Sequence, residues 1–78
     1  MKLGSLKEGG RDGTLVVVSR DLARAVKATG IAPTLQRALE DWSNLAPRLN
    51  AVYEALEAGT PDTVNGEPVF ALDATQLA

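Results

Sequence analysis

The chain has 78 residues and a net charge of −2, from 8 basic and 10 acidic side chains, and it contains neither cysteine nor histidine. This length allows one small domain, and the absence of Cys and His excludes a disulfide framework and, in practice, a zinc-stabilised fold. The slightly acidic balance argues against a general nucleic-acid binder, which would present a basic patch or stripe.

A domain this small gains little from burying its core. A chain of this size removes only about 60–65% of its unfolded surface from water, so apolar burial barely offsets the entropy of ordering. We therefore expect a domain that is marginally stable alone or that rests on a partner surface. The longest apolar run, residues 15–18, is too short to span a membrane, and residues 1–10 show no signal-peptide pattern. We expect a cytoplasmic location.

The N-terminal region predicts a β-hairpin. Residues 2–7 are mildly apolar, residues 8–13 are rich in glycine, and residues 14–20 contain three consecutive valines. The pair Asp12-Gly13 can supply the positive φ angles that hairpin turns need. A glycine-rich loop can also bind phosphate, but such a site requires a following helix, and here a β-branched run follows. We therefore favour the hairpin over an anion site.

The second predicted strand, residues 14–20, carries apolar side chains on both faces. Such a strand is covered on both faces or meets another domain on one of them. This pattern suggests that the 78 residues belong to a larger protein.

The segment after this strand is compatible with two structures. Asp21 could cap a helical turn in which Leu22, Ala25 and Val26 share one side. Residues 23–28 also alternate small or apolar residues with polar ones, which is typical of a strand. We favour a short third strand that ends at residues 29–30.

Helical periodicity begins after Pro33, which disfavours extension of a helix backwards through Ala32. Thr34 fits an N-cap, since its hydroxyl can accept from the free amides of the first turn. The following apolar residues have the i, i+3, i+4, i+7 spacing of one helix face. This first stripe consists of Leu35, Ala38, Leu39 and Trp42.

Pro47 divides the helical region in two. Deep inside one continuous helix it would cost about 3 kcal/mol, whereas in the first turn of a second helix it costs almost nothing. We predict helices over residues 34–43 and 45–58, with Ser43 or Asn44 capping the second and Gly59 ending it. The second apolar stripe consists of Leu45, Leu49, Val52, Tyr53 and Leu56.

The C-terminal part predicts a loop over residues 60–68, with a turn at Asn65-Gly66, and a short strand over residues 69–72. The elements together predict an α+β fold. A small antiparallel sheet, made of the N-terminal hairpin and one or two further strands, is covered by two short helices.

The carboxylates are the only candidates for chemistry. Glu40 and Asp41 are adjacent and point in different directions on a helix, whereas Glu54 and Glu57 could both reach one cation. A metal site normally draws ligands from several elements, and a catalytic acid–base pair needs a desolvated cleft. We interpret these carboxylates as a solvated helix face, and we assign no catalytic, cofactor-binding or metal-binding residue.

The hydroxyl and aromatic side chains also favour structural roles. Ser5, Ser19 and Ser43 lack the histidine that would activate a serine nucleophile, so strand positions and a cap are the better interpretations. Trp42 and Tyr53 lie on the two helical stripes, where core packing is the usual role. An exposed patch that docks on another domain is the alternative.

Several segments, taken in order, resemble one family. They are residues 15–22, the pair Ala25-Val26, residues 31–36, Ala38-Leu39 and Asp41-Trp42, supported by the opening Met-Lys-Leu and by residues 46–59. This set is similar to the N-terminal domain of bacterial fumarylacetoacetate hydrolase family proteins, and the similarity extends to about Leu72.

The resemblance implies a function for the parent protein more than for this chain. Family members hydrolyse a carbon–carbon bond in β-diketo acids with a divalent cation, Mg or Ca, held in a large C-terminal β-rich domain. No catalytic residue carries over, because this chain ends before that domain and contains no His. We expect no hydrolase activity from this chain alone.

The resemblance also suggests a domain organisation. Residues 1–72 would form an accessory domain and residues 73–78 would begin the linker to the catalytic domain, which would be the partner within the same chain. The parent could form a homodimer, and neither nucleic acid nor membrane is an expected partner. The implied role is non-catalytic interdomain packing, and the alternative is an independent protein–protein interaction module.

Overall fold

The computed structural model describes residues 2–7, 13–59 and 61–72 of the chain. They form five strands and two helices: β1 (Lys2–Leu6), β2 (Thr14–Val18), β3 (Arg24–Lys27), α1 (Leu35–Glu40), α2 (Trp42–Glu57), β4 (Thr63–Val64) and β5 (Glu67–Ala71). The strands make one antiparallel sheet in the order β1-β2-β3-β5-β4. The predicted α+β fold, with a small antiparallel sheet and two helices, is confirmed.

The strand β2 is buried along its whole length. Leu15 and Val17 join the main apolar cluster, in which the sheet packs against residues of both helices. Val16 and Val18 point to the other face, where they form a smaller cluster with Leu6. The apolar pattern on both faces of this strand therefore corresponds to burial on both faces.

The N-terminal strands follow the prediction closely. β1 pairs with β2, with Leu6 opposite Thr14. Residues 8–12, which include most of the predicted turn, lie outside the described residues, but Gly13 has the expected positive φ of 75°. A Cβ atom at this position would lie 2.6 Å from the carbonyl oxygen of Leu6. Glycine is therefore required here both for the backbone angle and for the close approach.

The segment that allowed a strand or a helix is a strand. β3 pairs with β2, with Val26 opposite Val17, so their side chains share the helix-covered face. The helical alternative at Asp21 is wrong, because residues 19–24 form the tight connection between these two strands.

The C-terminal prediction was partly wrong. The predicted loop contains the two-residue strand β4, and β5 begins at Glu67, before the expected Val69. The turn itself is confirmed: Asn65 and Gly66 have φ angles of 52° and 80°, the left-handed pair of a tight hairpin turn. Pro68 is tolerated in β5 because it pairs with β4 only, and pairing with β3 begins at Val69.

The two helices are confirmed, but the break between them was misplaced. Thr34 caps α1 as predicted, and its Oγ1 accepts from the amide of Arg37 at 3.2 Å. The helices are separated by the single residue Asp41, whose φ of −129° and ψ of 38° leave the helical region. Ser43 and Asn44 therefore lie in the first turn of α2 and do not cap it.

Pro47 consequently lies in the interior of α2, as its sixth residue, and not in the first turn as predicted. The amide that proline lacks would have donated to the carbonyl of Ser43. Both residues are exposed, so water can satisfy that carbonyl. α2 ends at Glu57, and Gly59 follows with a φ of 106°, as expected for a C-terminal stop. Within the described ranges, neither helix is long and apolar enough to cross a membrane.

Candidate interaction surface

The connection between β2 and β3 is a turn held by its own polar groups. Ser19 is fully buried, and its hydroxyl donates to Oδ1 of Asp21 at 2.6 Å while accepting from the amide of Arg24 at 3.0 Å. The amide of Ala23 also donates to Oδ1 of Asp21, at 3.0 Å. A backbone bond from Ser19 to the carbonyl of Arg24 closes the turn at 2.9 Å. Asp21 and Ser19 thus set the backbone path of the turn.

These contacts change the acidity of Asp21. The hydrogen bond from the Ser19 hydroxyl, followed by that from the Ala23 amide, lowers the pKa of the Asp21 carboxyl below its ordinary value. Both donors favour the ionised form, because a carboxylate is the better acceptor.

Leu22 is the unusual residue of this turn. Its φ is 63°, in the left-handed region, and its amide donates to the carbonyl of Ser19 at 3.0 Å. For a residue with a branched side chain this conformation costs roughly 1–2 kcal/mol. The side chain is 55% exposed, so burial within the domain offsets only part of that cost.

The C-terminal end of α2 supports the turn from a second side. The amide of Arg20 donates to Oε1 of Glu57 at 2.6 Å, and Nη1 of Arg24 donates to the carbonyl of Gly59 at 3.3 Å. A shallow groove of about 300 Å³ lies beside this contact. Its lining residues are Arg20, Tyr53, Glu54, Glu57 and Ala58.

A second exposed surface lies where α1 meets α2. Leu39 is 59% exposed and Trp42 is 38% exposed, so the first predicted stripe is buried only in part, through Ala38 and half-buried Leu35. The expectation that Trp42 packs in the core is wrong, because the break at Asp41 turns the chain before the stripe is complete. We call Leu39 and Trp42 the corner patch.

The second stripe, by contrast, packs as predicted. Leu49, Val52 and Leu56 are buried against the sheet, and Leu45 and Tyr53 pack at their margin. Another groove, of about 340 Å³, opens beside α1. Its lining residues are Ile31, Ala32, Pro33, Arg37, Glu40, Asp41 and Leu45.

Three of the four carboxylates considered from the sequence accept hydrogen bonds from nearby groups, and the fourth, Glu40, is exposed at the end of α1. Oδ1 of Asp41 accepts from Asn44 at 2.8 Å, and Oε1 of Glu54 accepts from Asn50 at 3.0 Å. Oε1 of Glu57 accepts from the Arg20 amide, and Glu54 and Glu57 line the same groove. In residues 2–7, 13–59 and 61–72, no three acidic side chains come together as a metal site would require. The described residues therefore do not fit the divalent cation that the family resemblance implies.

The candidate serines are equally structural. Ser19 is fully buried in its turn network, Ser5 is half-buried on β1, and Ser43 is exposed in the first turn of α2. The structure brings none of them next to another. From the sequence, Leu22 was considered only as part of a possible helical turn, and neither its exposure nor the Arg20–Glu57 contact was predicted. The only available signal was the short polar segment after β2, in which an apolar Leu22 follows Asp21.

Comparison with known proteins identifies the family of this chain. No curated protein matches the chain significantly. Residues 1–77 match the family described as fumarylacetoacetase N-terminal domain 2, so the match covers nearly the whole sequence. The resemblance found from the sequence is confirmed, and the chain belongs to the fumarylacetoacetase N-terminal domain 2 family.

Proposed function

We propose that this chain is a non-catalytic accessory domain that packs against the catalytic domain of a fumarylacetoacetase-type hydrolase. The family description supports a role beside another domain. The observation that carries the proposal is the corner patch, where Leu39 and Trp42 expose large apolar side chains at the junction of the two helices.

The corner patch has the composition of a docking surface. Single exposed leucines are common on soluble proteins, but here two large apolar residues lie only three positions apart. Tryptophan is among the residues that contribute most to binding when a partner covers them. Burial of the exposed part of these side chains would also compensate for the small core of a 78-residue domain.

The polar groups support an accessory role as well. Asp21, Asp41, Glu54 and Glu57 each accept a hydrogen bond from a neighbouring residue. In this proposal, hydrolysis of a carbon–carbon bond in a β-diketo acid, with Mg or Ca, belongs to the catalytic domain. The complete protein would be cytoplasmic and could be a homodimer.

The proposal can be tested by titrating the chain with a fumarylacetoacetase catalytic domain from the same genome. Trp42 is the only tryptophan of this chain. A tryptophan analogue incorporated into this chain alone can be excited selectively, so its fluorescence reports on position 42 without a signal from the partner. We expect its emission to shift to shorter wavelength as the partner covers the indole ring. Leu39→Gln should weaken binding by about tenfold, because it places a polar group in the contact.

The control is Arg48→Ala, an exposed position on α2 outside the corner patch, and it should leave the affinity unchanged. The chain alone should show no hydrolysis of a β-diketo acid in the presence of Mg²⁺. Hydrolysis by the chain alone, or the absence of binding to the catalytic domain, would overturn the proposal. Binding to an unrelated protein instead would favour the alternative, an independent interaction module.

A further inference from the structure

The turn between β2 and β3 presents an apolar side chain that the domain itself does not use. Leu22 is 55% exposed and belongs to neither apolar cluster. Its backbone φ of 63° suits glycine or asparagine, either of which would fit the turn without the same strain. This strain, which partial burial does not fully offset, is explained if the exposed part of the leucine side chain contacts another domain.

Hydrogen bonds hold the backbone on both sides of Leu22. Ser19 and Asp21 fix the turn from within, through the hydroxyl and carboxylate bonds of 2.6–3.0 Å. Glu57, at the end of α2, holds the Arg20 amide at 2.6 Å. A side chain on a preordered backbone loses little conformational entropy when a partner binds it, so such a support increases affinity.

The charges around the turn define the partner's chemistry. The carboxylates of Asp21 and Glu57 already accept hydrogen bonds from backbone or hydroxyl donors. Within the described part of the chain, the guanidinium of Arg20 has no hydrogen-bond or ion-pair partner, and it lines the adjacent groove. Arg20 therefore offers a cation beside Leu22 that an acidic side chain on the partner can pair with.

We infer that Leu22 is a docking anchor, which enters an apolar pocket on the catalytic domain while Arg20 pairs with a carboxylate on the rim of that pocket. This inference rests on the proposed function and adds a second contact to the corner patch. Trp42 begins α2, whereas the turn contacts the end of that helix at Glu57. Sixteen helical residues span about 24 Å, so two such contacts would fix the orientation of the domain on its partner.

The test measures the dissociation constant between this chain and the same catalytic domain. It compares the unmodified chain with two variants of Leu22 and one variant of Arg20. Leu22→Asn keeps a residue suited to the left-handed backbone and removes the apolar side chain, so we expect binding at least about tenfold weaker. Leu22→Met keeps an apolar side chain and should bind within about threefold of the unmodified chain. Arg20→Ala should weaken binding and reduce its dependence on salt.

Thermal unfolding of each variant checks that the fold is kept, and Leu22→Asn should melt no lower than the unmodified chain. Unchanged affinity of Leu22→Asn would overturn the inference. If Leu39→Gln weakens binding while Leu22→Asn does not, this inference fails and the proposed function stands. If the unmodified chain does not bind the catalytic domain, both fail.

Discussion

At the scale of single residues, Leu22 combines two properties that oppose each other in an isolated domain. Its left-handed backbone costs stability, and its side chain, which is more than half exposed, returns only part of that cost. We expect Leu22→Gly to have a free energy of unfolding about 1 kcal/mol higher than Leu22→Ala, measured by urea denaturation. Alanine is the matched control, because it also loses the leucine side chain but keeps the Cβ atom that causes the strain. Equal stability of the two variants would show that the left-handed backbone carries no cost here.

Asp21 gives the turn a dependence on pH. Its pKa is lowered in the folded chain by the Ser19 hydroxyl and the Ala23 amide, so the folded state favours the ionised form. The sign follows from linkage: this contribution is fully present above the unfolded pKa of about 3.9 and is lost as the pH falls through the lower folded value.

We therefore expect the stability of the unmodified chain to fall more steeply below about pH 4 than that of Asp21→Asn. Asparagine keeps an acceptor oxygen for Ser19 and Ala23 but does not titrate. Unfolding free energies measured from pH 6 to pH 2 for both chains give the comparison. Parallel curves would mean that Asp21 titrates with the same pKa in the folded and unfolded chain.

At the scale of elements, α2 carries a proline that its geometry does not require. Pro47 is the sixth helical residue, where one backbone hydrogen bond is missing. Pro47→Ala restores the donor to the Ser43 carbonyl, and we expect it to raise the free energy of unfolding by about 1 kcal/mol or more. Arg48→Ala, at the next and equally exposed position, changes no backbone bond and should have little effect. A lower stability of Pro47→Ala would contradict this account of the helix.

The sheet could be predicted where the side-chain pattern was strong. Three valines predicted β2, and the alternation after Asp21 favoured β3. β4 could not be predicted, because a two-residue strand is too short to show any period and forms only through its turn with β5.

The break between the two helices was misplaced for another reason. A single residue, Asp41, changes direction without a glycine or proline to mark it, whereas Pro47 suggested a break that the structure does not make.

The candidate surface was harder to predict than the fold. Periodicity placed Leu39 and Trp42 on one helical stripe with Ala38. The structure divides that stripe, because α1 ends at Glu40 and Trp42 begins α2. The left-handed conformation of Leu22 could not be inferred from the sequence, because leucine disfavours it. It results from the bonds that Ser19 and Asp21 make across the turn.

At the scale of the whole molecule, one side of the sheet carries most of the core. Leu49 is fully buried in the helix-covered cluster, whereas Leu39 on α1 is 59% exposed. We expect Leu49→Ala to cost about 2–5 kcal/mol of unfolding free energy, against a total on the order of 4–12 kcal/mol for a domain of this length. Leu39→Ala removes the same atoms from a surface and should change stability by less than about 0.5 kcal/mol.

Thermal or urea unfolding of these two variants makes the comparison direct. Similar losses at both positions would mean that the corner patch is part of the core. A large loss of stability for Leu49→Ala and a small one for Leu39→Ala would instead show that Leu49 holds the domain together, whereas Leu39 is free to contact a partner.

The position of β5 in the sheet has a consequence for how the chain folds. β1, β2 and β3 are neighbours in sequence, but β5 pairs with β3 across both helices, with Phe70 opposite Ala25. Closing that long loop costs more entropy than forming the three-stranded meander, so the meander should form first. Destabilising substitutions in β2 should then slow folding, whereas those in β5 should mainly speed unfolding. The last strand thus completes the sheet late, and the order of synthesis would match the order of assembly.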